Sequence, residues 1–243
     1  MRKIVRNLWI VALVVLVLAL AYPLRSTLTR TVIVGDLAAL YVLTLLAVRR
    51  SCLLRAIVLG GAAVIAAFLC LPGRHADPER LRTSYISALG TYRGVRYYWG
   101  GETHLGIDCS GLPRMGLTQG SAWVGLCTAN PGLVRRAAWL WWNDASASDL
   151  AGGWQTRRLG QVAHLHDVAQ APFGPLRPGD IAVVSGQSHV IVYLGSAGSP
   201  PRPVWIEADP MSMRVEIWPA SGASKAFPWD NADAEIVRWR DLE

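Results

Sequence analysis

A cysteine follows an aspartate in a glycine-rich stretch near the middle of the chain. Residues 97–112 read Tyr-Tyr-Trp-Gly-Gly-Glu-Thr-His-Leu-Gly-Ile-Asp-Cys-Ser-Gly-Leu. Gly100, Gly101 and Gly106 predict turns, and a helix is expected to begin just after Asp108. A cysteine at a helix N-terminus lies at the positive end of the dipole, so we expect the pKa of Cys109 to be lowered. Free N–H groups at the same place can hold a developing oxyanion.

A nucleophilic thiol needs a nearby base, and the chain offers five histidines. His75 lies in a polar segment, His104 in the glycine-rich stretch, and His164 and His166 in a second polar segment. His189 instead begins an apolar run that is typical of a β-strand. A sheet would hold this side chain rigidly, so His189 is the candidate base; the alternative is an ordinary buried or surface histidine.

Two motifs resemble those of the NlpC/P60 cysteine peptidases. The first is Tyr97-x-Trp-Gly-Gly…Gly-Ile-Asp-Cys-Ser-Gly-Leu, and the second is Leu176-x-Pro-Gly-Asp-Ile…His189-Val-x-Val-Tyr-Leu-Gly. The resemblance covers residues 77–218. It implies an α+β fold with a papain-like core, in which a helix carrying the cysteine packs on an antiparallel sheet carrying the histidine. It also implies hydrolysis of cell-wall peptides, commonly at the bond after γ-linked D-glutamate.

The resemblance also implies roles for single residues. Cys109 matches the nucleophile and His189 the general base, while Tyr97 matches a tyrosine that lines the site and helps to bind the oxyanion. We expect Tyr97, Asp108 and Ser110 to contact the substrate. The family's chemistry implies no metal and no organic cofactor.

The third residue of the site, which orients the histidine, departs from the family pattern. The family uses His, Asn or Gln on the next strand, whereas the matching position here is Glu207. A carboxylate can accept a hydrogen bond from the imidazole N–H and fix its tautomer. Asp209 would share the same strand face and is the alternative, although it also suits a turn before Pro210.

Residues 113–175 form a longer connection than is usual in the family, and they suggest a lid or one wall of a substrate groove. Tryptophans in the run Trp139-Leu-Trp-Trp can stack on sugar rings, but we expect them in the core. Cys127, His164 and His166 are possible zinc ligands, but they lack the tight spacing that zinc sites have. Cys127 has no obvious partner, so no structural disulfide is predicted.

Three uncharged or nearly uncharged windows precede these motifs, in a chain that is 52% hydrophobic and only 17% charged. They span residues 7–24, 31–48 and 56–73, and arginines separate them. Each is 18 residues long, roughly 27 Å as a helix, which matches the thickness of a bilayer core. Three such windows in succession favour membrane helices over a cleaved signal peptide or buried soluble helices.

The distribution of charge excludes one class of partner and orients the anchor. Up to Arg74 there are nine Lys and Arg and one acid, whereas fifteen Lys and Arg and sixteen acids follow. The nearly neutral remainder lacks the basic surface that nucleic-acid binding requires. Basic residues are denser at the N-terminus and in the second loop than in the first, so the positive-inside rule places both in the cytoplasm. The remainder then lies on the extracytoplasmic (periplasmic) side of the cell membrane.

These observations divide the chain into a membrane anchor, residues 1–74, and a catalytic domain, residues 75–243. Asp77 and Pro78 predict the start of a helix and Gly90 its end. Residues 181–184, 189–194, 204–208 and 214–218 predict strands, which completes an α+β arrangement.

The resulting hypothesis is a membrane-anchored cysteine hydrolase that cleaves peptidoglycan stem peptides through Cys109, His189 and Glu207. Its partners would be peptidoglycan peptides or fragments and the lipid bilayer, with the oligomeric state left open. One alternative is a thiol acyltransferase or transpeptidase that acts on peptides or lipids near the membrane with the same residues. The other is a non-catalytic membrane protein that binds the cell wall.

Overall fold

A computed structural model describes residues 2–184, 186, 188–198, 202–218 and 227–243. Three helices at the N-terminus are long and apolar enough to cross a membrane: α1 (Arg2–Ala21), α2 (Thr27–Val48) and α3 (Cys52–Cys70). Their apolar side chains are largely exposed on the protein itself, which is expected of helices that face lipid.

Serine caps decide where α2 and α3 begin. The Ser26 hydroxyl accepts a hydrogen bond from the Thr29 N–H, and the Ser51 hydroxyl accepts one from the Leu54 N–H, both at 3.3 Å. An N-cap serine satisfies an unpaired N–H at the helix start, so each helix begins at the next residue. The windows predicted from the sequence are bounded by arginines and therefore start later than the helices, at residue 31 instead of 27 and at residue 56 instead of 52.

Four helices follow the anchor. The predicted helix is confirmed as α4, with Pro78 in its first turn and Asp77 accepting a hydrogen bond from the Glu79 N–H at 3.0 Å. The helix bearing the cysteine motif, α5, packs between α4 and α6. The bounds are α4 Pro78–Gly90, α5 Gly111–Cys127, α6 Pro131–Trp142 and α7 Ala147–Ala151.

An antiparallel sheet of six strands completes the α+β fold, in the order β3-β8-β4-β5-β6-β7. A separate two-stranded hairpin, β1 and β2, lies in the glycine-rich stretch. Short 3₁₀ helices cover Leu165–Gln170 and Arg240–Leu242. The strands are β1 Glu102–Thr103, β2 Gly106–Ile107, β3 Thr156–Val162, β4 Ile181–Val184, β5 His189–Ala197, β6 Arg202–Asp209, β7 Arg214–Trp218 and β8 Ala234–Trp239.

The long connection 113–175 forms regular secondary structure, and its role as a lid or groove wall stays a prediction. It supplies α5, α6, α7 and the edge strand β3, which pairs with β8. Neither β3 nor β8 was predicted from the sequence. Strand β8 lies between β3 and β4, inside the sheet.

Alternation along β5 divides the sheet between two apolar clusters. Val190 and Val192 pack in the cluster that includes α4, α5 and Cys109, whereas Ile191 and Tyr193 pack in a second cluster on the other face. His189 is the first residue of β5, at the end of the sheet. Its position decides how the site is assembled.

Candidate active site

Asp108 organises the start of α5. Its Oδ1 accepts hydrogen bonds from the Gly111 N–H at 2.5 Å and from the Ser110 hydroxyl at 3.1 Å, and its Oδ2 accepts one from the Gly100 N–H at 2.8 Å. The helix therefore begins at Gly111, three residues after Asp108, and Cys109 lies just outside it. These internal bonds support a positioning role for Asp108, and its contact with substrate stays a prediction, as does that of Ser110.

Glycine is required where the β1–β2 hairpin packs against the helix start. A Cβ added to Gly111 would lie 2.7 Å from the Gly101 carbonyl oxygen, and one added to Gly101 would lie 2.5 Å from the Gly106 carbonyl oxygen. Neither backbone atom can move aside as a flexible side chain would. The Asp108 N–H also donates to the Gly101 carbonyl at 3.1 Å, so the motif's glycines bring the hairpin against the cysteine.

Cys109 is buried, and the direction of its pKa corrects the sequence-based expectation. Burial and the negative charge of Asp108 together raise the pKa of the thiol to about 12. The backbone N–H groups of Val190, Ser110 and Cys109 itself lie near the sulfur and lower the pKa, but by less. The helix N-terminus thus supplies the expected donors, while the loss of solvent around the sulfur outweighs them. The resting thiol is neutral.

Tyr97 lies at the same site, half-buried. Burial raises the pKa of its hydroxyl, and the neighbouring Cys109 and Asp108 raise it further when they are ionised. Its backbone N–H donates to the Met213 carbonyl at 2.9 Å, which holds the residue beside β7. A phenol with a raised pKa stays protonated and can donate a hydrogen bond, as an oxyanion ligand must.

His189 and Glu207 form a buried pair. Nε2 of His189 donates to Oε2 of Glu207 at 2.6 Å, and both side chains are at most 5% exposed. With the proton on Nε2, the lone pair of the neutral ring is on Nδ1. The pairing that was predicted from the family's third position is therefore present in the structure, with Nδ1 as the nitrogen that can act as a base.

Asp209, the alternative to Glu207, is used by a turn. Its two oxygens accept hydrogen bonds from the N–H groups of Met211 at 2.8 Å and Ser212 at 2.9 Å. The strand register pairs Ile191 with Glu207, so Glu207 reaches diagonally across to His189. The shorter Asp209 side chain turns back onto its own chain instead.

Trp229 contacts both members of the His189–Glu207 pair and was not predicted from the sequence. Its ring stacks on the His189 ring, with the centroids 4.6 Å apart, and its indole N–H donates to Oε2 of Glu207 at 2.7 Å. The same side chain thus touches both partners. Oε1 of Glu207 is buried, and no residue that the structure describes donates a hydrogen bond to it. No short motif marks Trp229, which lies 22 residues after Glu207.

The structure brings Cys109 beside the start of β5 but does not join it to the imidazole. Its sulfur lies near the N–H of Val190, the residue directly after His189. No hydrogen bond links the Cys109 thiol to the His189 ring, although both residues are described. Catalytic hydrogen bonds often tighten only when substrate binds, so the missing bond does not by itself exclude a catalytic pair.

The remaining candidates from the sequence have other surroundings. Trp139 and Trp142 are 39% and 43% exposed, so the expectation of core residues is wrong for these two, whereas Trp141 is partly buried against the core cluster. Trp139 stacks on Trp154 at 5.5 Å. The four cysteines are free thiols. Within the described ranges, no group of three or more His, Cys, Asp or Glu side chains is arranged to hold a metal, so Cys127 and the two histidines do not form the zinc site considered above.

Comparison with known proteins adds no family. No protein-family model matches the chain, and no curated protein matches it. Function is therefore inferred from the motifs and from the geometry of the described residues.

Proposed function

We propose that this protein is a membrane-anchored cysteine hydrolase with a papain-like core of the NlpC/P60 type, which cleaves peptide bonds in peptidoglycan stem peptides. The observation that carries the proposal is the buried His189–Glu207 pair beside Cys109, built from residues at the motif positions. The arrangement needs no metal or organic cofactor.

Because the resting Cys109 thiol is neutral, it must give up its proton as it attacks the carbonyl. As the peptide carbonyl enters, the thiol proton passes to Nδ1 of His189 while the sulfur forms a bond to the carbonyl carbon. The Glu207 carboxylate stabilises the imidazolium that results. The N–H groups near the sulfur and the Tyr97 hydroxyl donate to the oxyanion.

The second half of the reaction returns every group to its starting state. The C–N bond breaks, and the imidazolium gives its proton to the leaving amine. Water then attacks the thioester while His189 accepts a proton from it. The carboxylic acid leaves, and the proton returns to the Cys109 sulfur.

The decisive experiment uses the full chain in lipid nanodiscs with defined muropeptides, and mass spectrometry of the products. Cys109→Ala and His189→Ala should each lower turnover by several orders of magnitude. Cys127→Ser is the matched control, because Cys127 is exposed and lies at the far end of α5. Full cleavage by the Cys109→Ala protein would remove the proposal.

A second candidate, a non-catalytic protein that binds the cell wall, is favoured by the raised pKa of the Cys109 thiol and by its lack of a bond to the imidazole. It predicts that the parent protein binds muropeptides without cleaving them and that Cys109→Ala binds equally well. An acyltransferase would instead yield a new amide when an amine acceptor is added. The same product analysis separates all three outcomes.

The proposed location is the cell membrane, with the N-terminus in the cytoplasm and the site on the extracytoplasmic side. The arginine distribution around the three helices supports it. An alkaline-phosphatase fusion after Glu243 should be active, and one placed between Arg50 and Arg55 should be inactive. The reverse pattern would make a cell-wall substrate untenable.

A further inference from the structure

The hairpin in front of the nucleophile is joined to the turn between α1 and α2. Arg30, in the first turns of α2, contacts the two Glu102 oxygens at 2.6 and 2.8 Å, and both side chains are buried. The Glu102 N–H donates to the Pro23 carbonyl at 3.1 Å, and Leu24 forms an antiparallel bridge with Gly101. The hairpin is thus fixed to the anchor rather than suspended above it.

The position of Arg30 sets the depth of this contact. Helix α2 has 22 residues, about 33 Å at 1.5 Å per residue, against a hydrocarbon core of about 30 Å. Arg30 is the fourth residue of α2 and therefore lies near the boundary of the hydrocarbon. A charge at that depth needs a partner, which Glu102 supplies. The hairpin must then sit at the level of the lipid headgroups.

Apolar side chains on the same segment are left uncovered by the protein. Trp99 is 79% exposed, Leu105 61% and Tyr98 42%. Gly100, which follows Trp99, packs closely on Leu24: a Cβ added to Gly100 would lie 2.8 Å from Cδ1 of Leu24. Tryptophan and tyrosine are the residues that membrane interfaces favour. We call residues 98–105 the interfacial loop.

We propose that the interfacial loop rests in the headgroup layer of the same bilayer that α1–α3 cross, and that the substrate is a lipid-linked peptide. The Leu24–Gly101 bridge and the Asp108–Gly101 hydrogen bond are two backbone steps, each about 5 Å between Cα atoms. Asp108, the residue before Cys109, therefore lies within roughly 10 Å of Leu24 in the turn of the α1–α2 pair. The substrate class rests on the proposed hydrolase function, whereas the membrane contact of the loop does not.

The first test measures the contact without any catalysis. The four native cysteines are replaced, Cys109 by Ala and the others by Ser, and an environment-sensitive dye is attached to Leu105→Cys in the full chain in phosphatidylglycerol nanodiscs. The matched control is Gln161→Cys, on the exposed edge strand β3. Bromine-labelled lipids should quench the dye at position 105 at least about fivefold more than at position 161. Equal quenching at the two positions would overturn the loop contact.

The second test compares one peptide in two forms, free in solution and attached to an acyl chain embedded in the nanodisc. The parent protein should cleave the embedded form with a kcat/KM about tenfold higher or more. Trp99→Ser should lower that advantage, while Trp123→Ser, an exposed tryptophan on α5, should not. Equal cleavage of the two forms by the parent would refute the substrate class alone. Cleavage of neither form would instead contradict the hydrolase, and the quenching result would still decide the loop contact.

Discussion

Glu102 holds two arginines from distant parts of the chain, and its replacement by glutamine tests how the anchor and the site depend on each other. Its carboxylate contacts Arg30 in α2 at 2.6 and 2.8 Å and accepts a short hydrogen bond from Arg114 in α5. All three side chains are at most 3% exposed. Glu102→Gln keeps the side-chain volume but leaves the buried Arg30 guanidinium facing a neutral amide, while Arg114 keeps its contact with Asp144 at 2.8 Å.

The expected loss follows from the burial of all three groups. Burial raises the pKa of Glu102, and the charges of Arg114 and Arg30 oppose that rise, so the ionised carboxylate depends on both arginines. Removing one partner from a buried ion pair costs about 3–5 kcal/mol of unfolding free energy. Arg30→Gln leaves Glu102 paired with Arg114, so the loss is one charged hydrogen-bonded contact, about 1.5–3 kcal/mol.

Thermal unfolding of the full chain in nanodiscs, followed by near-ultraviolet circular dichroism, measures these losses. Glu102→Gln should lower the Tm by roughly 10 °C and Arg30→Gln by about half as much. The control is Arg49→Gln, an exposed arginine at the other end of α2. The Glu102→Gln/Arg30→Gln double variant should lose less in Tm than the sum of the two single losses, because it no longer buries two facing cations. A Glu102→Gln protein that melts with the control would refute the reasoning.

Three further outcomes are expected at the site. Glu207→Ala should lose more turnover than Glu207→Gln while Asp209→Ala stays near the parent rate, and a crippled Asp209→Ala protein would move the orienting role to Asp209. Trp229→Phe keeps an aromatic ring on His189 but removes the indole N–H that donates to Glu207. We expect kcat to fall about tenfold with KM unchanged. An unchanged kcat would contradict a positioning role for Trp229. Iodoacetamide at pH 7.5 should alkylate Cys109 far more slowly than exposed Cys127, and the alkylation rate of Cys109 should keep rising beyond pH 10. A Cys109 alkylation rate that reaches its plateau below pH 7 would reveal a resting thiolate instead.

Short sequence patterns were sufficient to predict an element where the residues that mark it lie within it or directly beside it. The Asp77–Pro78 pair and Gly90 gave the bounds of α4, because capping and the missing proline N–H act within one turn. Strands β4 and β7 were predicted with the bounds that the structure shows. In each case the local pattern marks the element itself, although it does not show which strand pairs with it.

Distant partners explain why β8 escaped prediction. The strand runs through the interior of the sheet with every residue buried, yet it contains Glu235 and Arg238, which break the apolar pattern. Arg238 pairs with Asp180 at 2.6 and 2.8 Å, next to β4. A buried charge is tolerated only with such a partner, and the partner lies 58 residues away. The sequence alone does not show that pairing.

The same distinction separates what was predicted at the site from what was not. The motifs indicated Cys109, His189 and Glu207, and the structure pairs the last two directly. The pKa of Cys109 was predicted in the wrong direction, because a helix N-terminus is a local feature whereas burial of the sulfur results from the whole fold. Trp229 was missed for a related reason: its role depends on a contact with two strands, not on its neighbours in the chain.

The contacts between the anchor and the rest of the chain bear on how the protein should be divided. A cut after residue 74 was natural from composition, but it would separate Arg30 from Glu102 and leave Glu102 paired with Arg114. It would also break the two hydrogen bonds, at 2.9 and 3.0 Å, by which Asn130 at the start of α6 holds Arg74. Because one of these contacts supports the hairpin that packs on Cys109, loss of activity in a fragment 75–243 would report a disturbed site rather than a wrong nucleophile. Tests of the chemistry therefore belong in the full chain.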